Sequence, residues 1–251
     1  MANTHFAAVI YQGFWTALDW IYPPECAGCG EPGYRLCVKC QESIHFISGK
    51  VCAVCGLPLT GKEQVCQNCK GFQPPYDALR SLTRYGGVIR DCIHDLKYRN
   101  NQSLGEYFSA PLVELIRQQG WEADFVVPVP LSPDREFERG YNQSALLARP
   151  VALKLGWRYQ PLCLARTRNT KSQVSLTVEE RKLNVAGAFT AVPDLVSGQK
   201  ILLIDDVTTT GSTLEESTRA LKQAGATSVY CLTLSRPIHT DVNEFLNIDQ
   251  V

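Results

Sequence analysis

The chain has 251 residues, of which 45% are hydrophobic and 20% are charged, as in ordinary globular proteins. This length allows a large core and one or two domains. The 25 Lys and Arg residues balance the 25 Asp and Glu residues, so the net charge excludes a global basic field that would recruit nucleic acid or acidic membranes. A local basic patch is compatible with this balance.

The N-terminal segment has no Lys or Arg before Arg35, which argues against a secretory signal or a transit peptide. Apolar residues between positions 6 and 21 recur at helical spacing, but Gln12, Gly13 and Asp19 make this segment too polar to span a bilayer. We therefore predict an amphipathic helix over residues 1–22 that packs on a core. The protein is predicted to be cytoplasmic, with no membrane span.

Eight of the 11 cysteines form four pairs in which two residues separate the sulfur ligands. Each pair can present two thiolates to one tetrahedral ion, and two pairs complete a zinc site. A cytoplasmic redox state argues against disulfides, and the pairs lack the strand and helix context of a redox dithiol. The predicted zinc ligands are Cys26, Cys29, Cys37, Cys40, Cys52, Cys55, Cys66 and Cys69.

These pairs predict a double zinc ribbon over residues 23–75. Sequential pairing would give two zinc ions, whereas a cross-braced arrangement uses the same spacings, so both remain open. Each ribbon is too small to bury its own core, and zinc is therefore expected to be structural. Gly30 and Gly56 follow the second cysteine of a pair, where a tight turn can orient amides toward the thiolates. The isolated Cys92, Cys163 and Cys231 are predicted to be core residues.

A second domain is predicted over residues 76–251, because Pro74 and Pro75 end the cysteine-rich region. Periodicity predicts helices at 86–98, 105–120, 142–156 and 211–225, and strands at 124–130, 200–207 and 228–235. Continuously apolar strands separated by helices indicate a parallel sheet with both faces covered. The predicted fold class is therefore α/β, with a Rossmann-type parallel sheet preceded by the zinc ribbons.

The segment ILLIDDVTTTGSTLEES, residues 201–217, places two carboxylates at the end of an apolar strand and hydroxyls at the start of a helix. Ligands of parallel sheets bind at the carboxyl ends of strands, and helix N-termini bind anions. This is not a Walker loop, because no lysine follows Gly211. The segment predicts a phosphate site beside a diol-binding acid pair, Asp205 and Asp206. We expect both carboxylates to be exposed, so that replacing them costs little stability.

This acid pair and hydroxyl-rich turn resemble the phosphoribosyl pyrophosphate motif of type I phosphoribosyltransferases. The resemblance implies that Asp205 and Asp206 are catalytic-site residues that hold the ribose 2- and 3-hydroxyls. It implies a cradle for the 5-phosphate formed by Thr208, Thr209, Thr210, Gly211, Ser212 and Thr213. A purely structural role, with Asp206 as a helix cap and the threonines filling a turn, is the alternative interpretation.

The segment after the strand at 124–130 matches the loop that wraps the pyrophosphate in these transferases. Arg139 is the catalytic candidate in this loop, because a cation aimed at the leaving group stabilises charge that develops in the transition state. A solvated charged loop is the alternative, because acidic residues alternate with the arginines. The other predicted contacts are Leu131, Ser132, Arg135, Gly140, Tyr141 and Asn142.

Together, the cysteine pairs, LKYRNN, PVPLSPDREFERGYNQSALLA, KSQVSLTVEERKLNVAGAF and ILLIDDVTTTGSTLEES resemble the ComF/GntX family over nearly the whole chain. The resemblance implies a bacterial, competence-associated protein with a zinc ribbon and a phosphoribosyltransferase domain. Its implied role is DNA uptake in natural transformation, or the use of DNA as a nutrient. Its implied ligands are phosphoribosyl pyrophosphate and magnesium.

The same resemblance assigns roles to residues outside the two main motifs. Lys97 would reach the pyrophosphate or a nucleic-acid backbone. The loop between Arg166 and Phe189 would close over the reacting centre, with Gln173, Arg181 and Asn184 as contacts. A surface helix would explain Arg181 equally well.

Two classes of function follow. One is a phosphoribosyltransferase acting on phosphoribosyl pyrophosphate, with an unidentified acceptor. The other is a binding protein that holds single-stranded DNA or a helicase-like partner of the uptake machinery and uses the phosphoribosyl site as a sensor. Residues 131–185 carry ten Lys and Arg against five Asp and Glu, which favours a basic rim. Tyr98, Tyr141, Trp157 and Tyr159 would be either base-stacking or core residues.

Overall fold

The structure is a computed structural model that describes residues 24–99, 101, 103–168 and 185–238. Its strands are β1 (Ala78–Arg84), β2 (Phe125–Pro128), β3 (Arg158–Tyr159), β4 (Leu164–Arg166), β5 (Phe189–Ala191), β6 (Lys200–Val207) and β7 (Ser228–Arg236). The main sheet has five parallel strands in the order β1-β7-β6-β2-β3. Strands β4 and β5 form a separate antiparallel pair. The predicted parallel α/β sheet is confirmed.

The helices are α1 (Val38–Glu42), α2 (Gln67–Gly71), α3 (Gly87–Tyr98), α4 (Ser103–Gln118), α5 (Pro133–Arg139), α6 (Gln143–Leu155), α7 (Pro193–Val196) and α8 (Ser212–Gln223). Helices α3, α4 and α6 cover one face of the main sheet, and α8 covers the other. Leu202 faces a core shared with α3, α4 and α6, whereas Leu203 faces a core shared with α8 and the β4–β5 pair. Successive side chains of a strand enter opposite cores, which explains why β6 is apolar from Ile201 to Ile204, directly before the acid pair.

The periodicity located the strongly apolar elements to within about two residues. It missed β1, the short strand β3, the β4–β5 pair and helix α5. Strand β1 carries Ser81 and Thr83, polar residues that are buried against β7. The hydroxyl of Ser81 lies 2.7 Å from that of Thr233, and the Thr83 hydroxyl donates to the carbonyl of Leu234 at 2.8 Å. These hydrogen bonds allow a polar strand in the sheet.

The cysteine-rich segment lies along the free edge of β1. The amide of Leu79 donates to the carbonyl of Val54 at 2.7 Å, and the amide of Arg84 donates to the carbonyl of His45 at 2.8 Å. The amide of Ile47 donates to the carbonyl of Leu82 at 2.9 Å. An uncovered edge strand would expose unpaired backbone groups, so the ribbons complete the sheet. The division into domains at residue 75 stays a prediction.

Two further predictions concern the chain outside these elements. The predicted N-terminal helix at 1–22 lies outside the described residues. Among the helices that the structure describes, none is long and apolar enough to cross a membrane.

Candidate functional site

The acid pair lies at the carboxyl end of β6, between the first turn of α6 and the last turn of α3. Asp205 is only 8% exposed and Asp206 only 4% exposed. The expectation that both carboxylates are exposed was therefore wrong. Strand ends in this fold are open to ligands, but here Lys97, Gln143 and Ser144 cover the two side chains.

Asp205 is held by two hydrogen bonds to a single carboxylate oxygen. The hydroxyl of Ser144 donates to Asp205 Oδ1 at 2.7 Å, and the amide of Asp206 donates to the same atom at 2.9 Å. Burial raises the pKa of Asp205 well above its usual value, and the negative charge of Asp206 raises it further. Asp205 therefore favours its neutral form.

Asp206 is held in the opposite protonation state. Lys97 Nζ lies 3.0 Å from Asp206 Oδ2, and Gln143 Nε2 donates to Asp206 Oδ1 at 3.3 Å. Burial acts to raise the pKa of Asp206, but the charge of Lys97 and these hydrogen bonds outweigh it and lower the pKa. Burial likewise opposes the charge of Lys97, whose pKa is nevertheless raised by Asp206. Of the two neighbouring carboxyl groups, Asp206 is thus the one that favours its charged form.

Arg139 is connected to the acid pair through the side chain of Gln143. Arg139 Nη1 donates to Gln143 Oε1 at 2.9 Å, and the amide nitrogen of the same side chain contacts Asp206. The guanidinium carbon of Arg139 also lies 4.9 Å from the centre of the Tyr98 ring, and Nη2 donates to the Tyr98 hydroxyl at 3.3 Å. The structure therefore brings Lys97, Arg139, Asp205 and Asp206 together at one edge of the sheet.

Sequence reasoning missed Gln143 and Ser144, the two residues that contact the carboxylates from α6. They follow Asn142, whose side chain accepts a hydrogen bond from the Ser144 amide at 2.9 Å and caps the helix. Their position in the sequence could have identified them. They lie in the first turn of a helix that follows a buried strand, and such a turn lies beside the carboxyl edge of a parallel sheet.

The segment 131–142 contains helix α5 and a short return to α6. Leu131 and Ser132 are buried, and Arg135 is half-buried. Gly140 ends α5 in a left-handed conformation, with φ of 72°. The Asn142 side chain also donates to the carbonyl of Val129 at 3.0 Å, and the Tyr141 hydroxyl donates to the carbonyl of Leu96 at 2.7 Å. These contacts hold the segment between β2 and α3, and direct roles for its residues in ligand binding stay predictions.

The hydroxyl-rich turn connects β6 to the 12-residue helix α8. The amide of Thr208 donates to the carbonyl of Ser235 at 3.1 Å, and the hydroxyl of Thr210 lies 2.9 Å from that of Ser212. Gly211 has φ of 86°, a conformation that strains any other residue. The first amides of α8 have no partner within the helix and lie at its positive end, so this turn is suited to a phosphate. Thr209 and Thr213 are half-buried in it.

Two further predicted contacts, Gln173 and Arg181, lie outside the described residues, as does Asn184. Their roles stay predictions. Lys97 is described, and its ammonium group contacts Asp206.

The eight paired cysteines form two separate groups of four. Cys26, Cys29, Cys37 and Cys40 form the first group, and Cys52, Cys55, Cys66 and Cys69 form the second. Within each group the sulfur atoms lie within 4.8 Å of one another. Pairing is therefore sequential, and the cross-braced alternative does not apply. Four thiolates around one point are the ligand set of a structural zinc ion.

Backbone amides support the thiolate form in both groups. The amide of Cys37 donates to Cys26 Sγ at 3.3 Å, and the amide of Cys66 donates to Cys52 Sγ at 3.3 Å. Burial acts to raise the pKa of Cys26 and Cys52, but backbone amides lower both pKa values to about 6. Gly30 and Gly56 have φ of 77° and 70°, in agreement with the tight turns predicted after the second cysteines. Each group thus contains one thiol that favours the metal-binding thiolate form, whereas burial and the neighbouring cysteines raise the pKa of Cys40 in the first group and of Cys69 in the second.

The parallel α/β sheet carries an acid pair before a hydroxyl-rich turn, and two groups of four cysteines precede the sheet. These features define a protein of phosphoribosyltransferase type with an N-terminal double zinc ribbon. A family model of the double zinc ribbon domain matches residues 17–70, and a model of the phosphoribosyl transferase domain matches residues 142–244. The chain belongs to the ComF family of competence and DNA utilization proteins.

Two relatives illustrate this membership, and one solved structure is similar to part of the chain. The DNA utilization protein YhgH of Escherichia coli strain K12 is 34% identical over 211 residues, covering 82% of this chain and 92% of that protein. Competence protein ComFC of Bacillus subtilis strain 168 is 30% identical over 214 residues, covering 82% of this chain and 86% of that protein. The glutamine phosphoribosylpyrophosphate amidotransferase of B. subtilis aligns over 57% of this chain and 30% of its own, with 21% identity and a TM-score of 0.41.

Proposed function

We propose that this protein binds phosphoribosyl pyrophosphate together with magnesium at the carboxyl edge of the sheet. The observation that carries the proposal is the connection of Arg139 to Asp206 through Gln143, beside the phosphate turn that begins at Thr208. Phosphoribosyl pyrophosphate carries three groups that match three features of the site. Its 5-phosphate matches the turn before α8, its ribose diol matches Asp205 and Asp206, and its pyrophosphate matches Arg139. Each feature alone has a structural explanation, whereas their convergence supports one ligand.

The residues take distinct parts in this binding. Asp206, held ionised by Lys97, is suited to accept hydrogen bonds from a ribose hydroxyl, and Asp205 lies next to it on the same strand. The α8 turn binds the 5-phosphate. Arg139 exchanges its contact with Tyr98 for the pyrophosphate and keeps its hydrogen bond to Gln143. Asp206 already pairs with Lys97, so the pyrophosphate would supply the oxygen ligands for magnesium.

We also propose that the site catalyses a phosphoribosyltransferase reaction. The bond between the anomeric carbon and the pyrophosphate oxygen breaks, the pyrophosphate keeps the electron pair, and an acceptor nucleophile forms the new bond to the anomeric carbon. Arg139 stabilises the charge that accumulates on the pyrophosphate. The buried acid pair lies beside the ribose, where the transition state acquires positive charge.

Calorimetry tests the binding proposal. Phosphoribosyl pyrophosphate with magnesium is titrated into the wild-type protein and into the Asp205→Asn/Asp206→Asn variant, whose folding is checked by circular dichroism. We expect binding by the wild type and at least about tenfold weaker binding by the variant, since each charged hydrogen bond contributes about 1.5 to 3 kcal/mol. Asp206→Glu, which keeps the charge beside Lys97 but displaces the carboxylate, replaces the double variant if the latter does not fold. Absence of wild-type binding, or unchanged affinity in the variant, would refute the proposal.

We further propose that the protein acts in DNA uptake or DNA utilization, as the names of its relatives indicate for those proteins. Two exposed aromatic side chains favour contact with single-stranded DNA: Tyr98, which contacts Arg139, and Phe137, which lies on the same helix as Arg139. Phe137 is 90% exposed and Tyr98 is 54% exposed. Exposed aromatic rings next to a cation are suited to stacking with unpaired bases. In this second function the phosphoribosyl site serves as a sensor, and a helicase-like protein is the expected partner.

Fluorescence anisotropy of a labelled single-stranded oligonucleotide tests this second function. We expect weak binding that falls steeply between low and moderate salt, because phosphate contacts release counterions. Phe137→Ala should weaken it further, whereas Leu162→Ala, at another exposed apolar residue, should not. Salt-independent binding, or equal effects of the two variants, would contradict base stacking at this rim.

A further inference from the structure

Two arginines of the main sheet contact the backbone of the second cysteine group. Arg236, the last residue of β7, is only 6% exposed, and its Nη1 atom donates to the carbonyl of Cys55. Arg80 of β1 donates from Nη1 to the carbonyls of Cys52 and Ala53, at 3.3 and 3.1 Å. Two positive charges from different strands therefore lie against one metal-binding knuckle.

Neither arginine has a carboxylate as its counter-ion within the part of the chain that the structure describes. Arg80 otherwise contacts the side-chain oxygen of Gln119, at 2.7 Å, and the ring of Trp121. A buried charge without a partner is strongly unfavourable. The folded protein therefore needs another source of negative charge at this position.

The second cysteine group supplies that charge when it binds zinc. Four thiolates carry four negative charges and the ion carries two positive charges, so the occupied site has a net charge of −2. Arg80 and Arg236 together carry +2. The charges balance, and the carbonyl contacts place both guanidinium groups next to the site.

The second group is also held close to the sheet. Leu79 pairs with Val54 through a backbone hydrogen bond of 2.7 Å. At Gly56 a Cβ atom would lie 2.5 Å from the carbonyl oxygen of Leu79, which leaves no room for a side chain. Glycine at this position thus allows the knuckle to reach the two arginines.

The first cysteine group has different surroundings. Cys26, Cys37 and Cys40 are buried in the apolar core that contains Leu82 and Ile89. Gly28 adjoins Cys40 and the side chain of Val88. The first group therefore provides an internal comparison within the same chain.

We propose that Arg80 and Arg236 are the counter-ions of the second zinc site and retain its metal by balancing its charge. Neutralising either residue leaves the site with an uncompensated negative charge and lowers its affinity for zinc. The inference concerns the metal site and does not depend on the ligand proposed for the sheet.

Release of zinc to a coloured chelator tests the proposal in the full-length protein. In Arg236→Gln we expect one ion to leave at least about tenfold faster than in the wild type, and the other to leave at the wild-type rate, because loss of a residue that supports metal ligands typically costs about 10- to 100-fold in affinity. Arg236→Lys, which keeps the charge, should stay close to the wild type. The matched control is Arg158→Gln, an arginine of β3 that donates to Gln199.

The identity of the faster ion is established with Cys66→Ser/Cys69→Ser, which removes two ligands of the second group. Adding Arg236→Gln to this variant should leave release of the remaining ion unchanged. If Arg236→Gln does not fold, Arg80→Gln is used instead, and we expect it to release the ion of the second group faster in the same way. Wild-type release of both ions from Arg236→Gln, or equal acceleration in Arg236→Gln and Arg236→Lys, would overturn the proposal.

Discussion

Lys97 forms an ion pair with Asp206, with 3.0 Å between Nζ and Oδ2, at a site where both residues are largely buried. This ion pair gives two adjacent carboxyl groups different pKa values, because Lys97 lowers the pKa of Asp206 whereas burial and the charge of Asp206 raise the pKa of Asp205. The site thus holds a carboxylate ready for a ligand without holding two negative charges in its interior.

The first prediction concerns the stability of Asp205→Asn. The folded-state pKa of Asp205 is raised, so the folded protein binds its proton more tightly than the unfolded chain and loses stability as pH rises above the ordinary carboxyl pKa. Asparagine can accept the hydrogen bonds from Ser144 and from the Asp206 amide without carrying a charge. We expect the variant to be more stable than the wild type at neutral pH, with the gain shrinking toward pH 4.

Thermal unfolding measured from about pH 4 to pH 8 checks this prediction, since each kcal/mol changes the Tm of a chain of this size by about 2 to 4 °C. Asp206→Asn is the matched control and should be less stable than the wild type at neutral pH. It leaves Lys97 buried without its carboxylate, which costs about 3 to 5 kcal/mol. Destabilisation of similar size in both variants at neutral pH would contradict the assigned protonation states.

The second prediction is that Arg139→Ala weakens binding of phosphoribosyl pyrophosphate about tenfold or more and leaves ribose 5-phosphate binding nearly unchanged. The two ligands share the 5-phosphate, and only one carries a pyrophosphate. Calorimetry with both ligands measures the difference. Arg117→Ala, which removes an exposed arginine of α4 with no proposed role in binding, is the control. Equal weakening of both ligands by Arg139→Ala would remove the assignment of this residue to pyrophosphate.

The third prediction concerns Gln143, the residue between Arg139 and Asp206. Gln143→Leu keeps the size of the side chain but loses the hydrogen bonds to both neighbours. We expect weaker binding of phosphoribosyl pyrophosphate, and an effect that does not add to that of Arg139→Ala. A double-mutant cycle measures the coupling. Fully additive effects would mean that Gln143 does not position Arg139.

The fourth prediction is that the purified protein contains two zinc ions per chain. Each group of four cysteines provides a complete ligand set, and the ribbons pair with β1 through backbone hydrogen bonds. Removal of zinc by a strong chelator should therefore lower the Tm of the whole protein. Metal analysis of protein prepared without chelator gives the content. Less than one zinc ion per chain would exclude the assigned sites.

Short-range patterns in the sequence determined much of this protein. The cysteine spacing determined the metal ligands, because a two-residue gap is enough to bring two thiolates to one ion. Apolar runs determined β2, β6 and β7, and the residues that follow β6 predicted the hydroxyl-rich turn before α8. In each case the relevant groups are neighbours in the chain, so local geometry decides where they lie.

Only the tertiary structure decided which distant groups meet. Ser144 reaches Asp205 across 61 residues of sequence, and Gln143 reaches Asp206 across 63. Packing of α3 and α6 against the end of β6 buried the acid pair that we expected to be exposed. The polar strand β1 likewise depends on β7, because its buried hydroxyl groups need partners from a strand far along the chain. Burial and long-range hydrogen bonds depend on how the elements pack, and no local pattern contains that information.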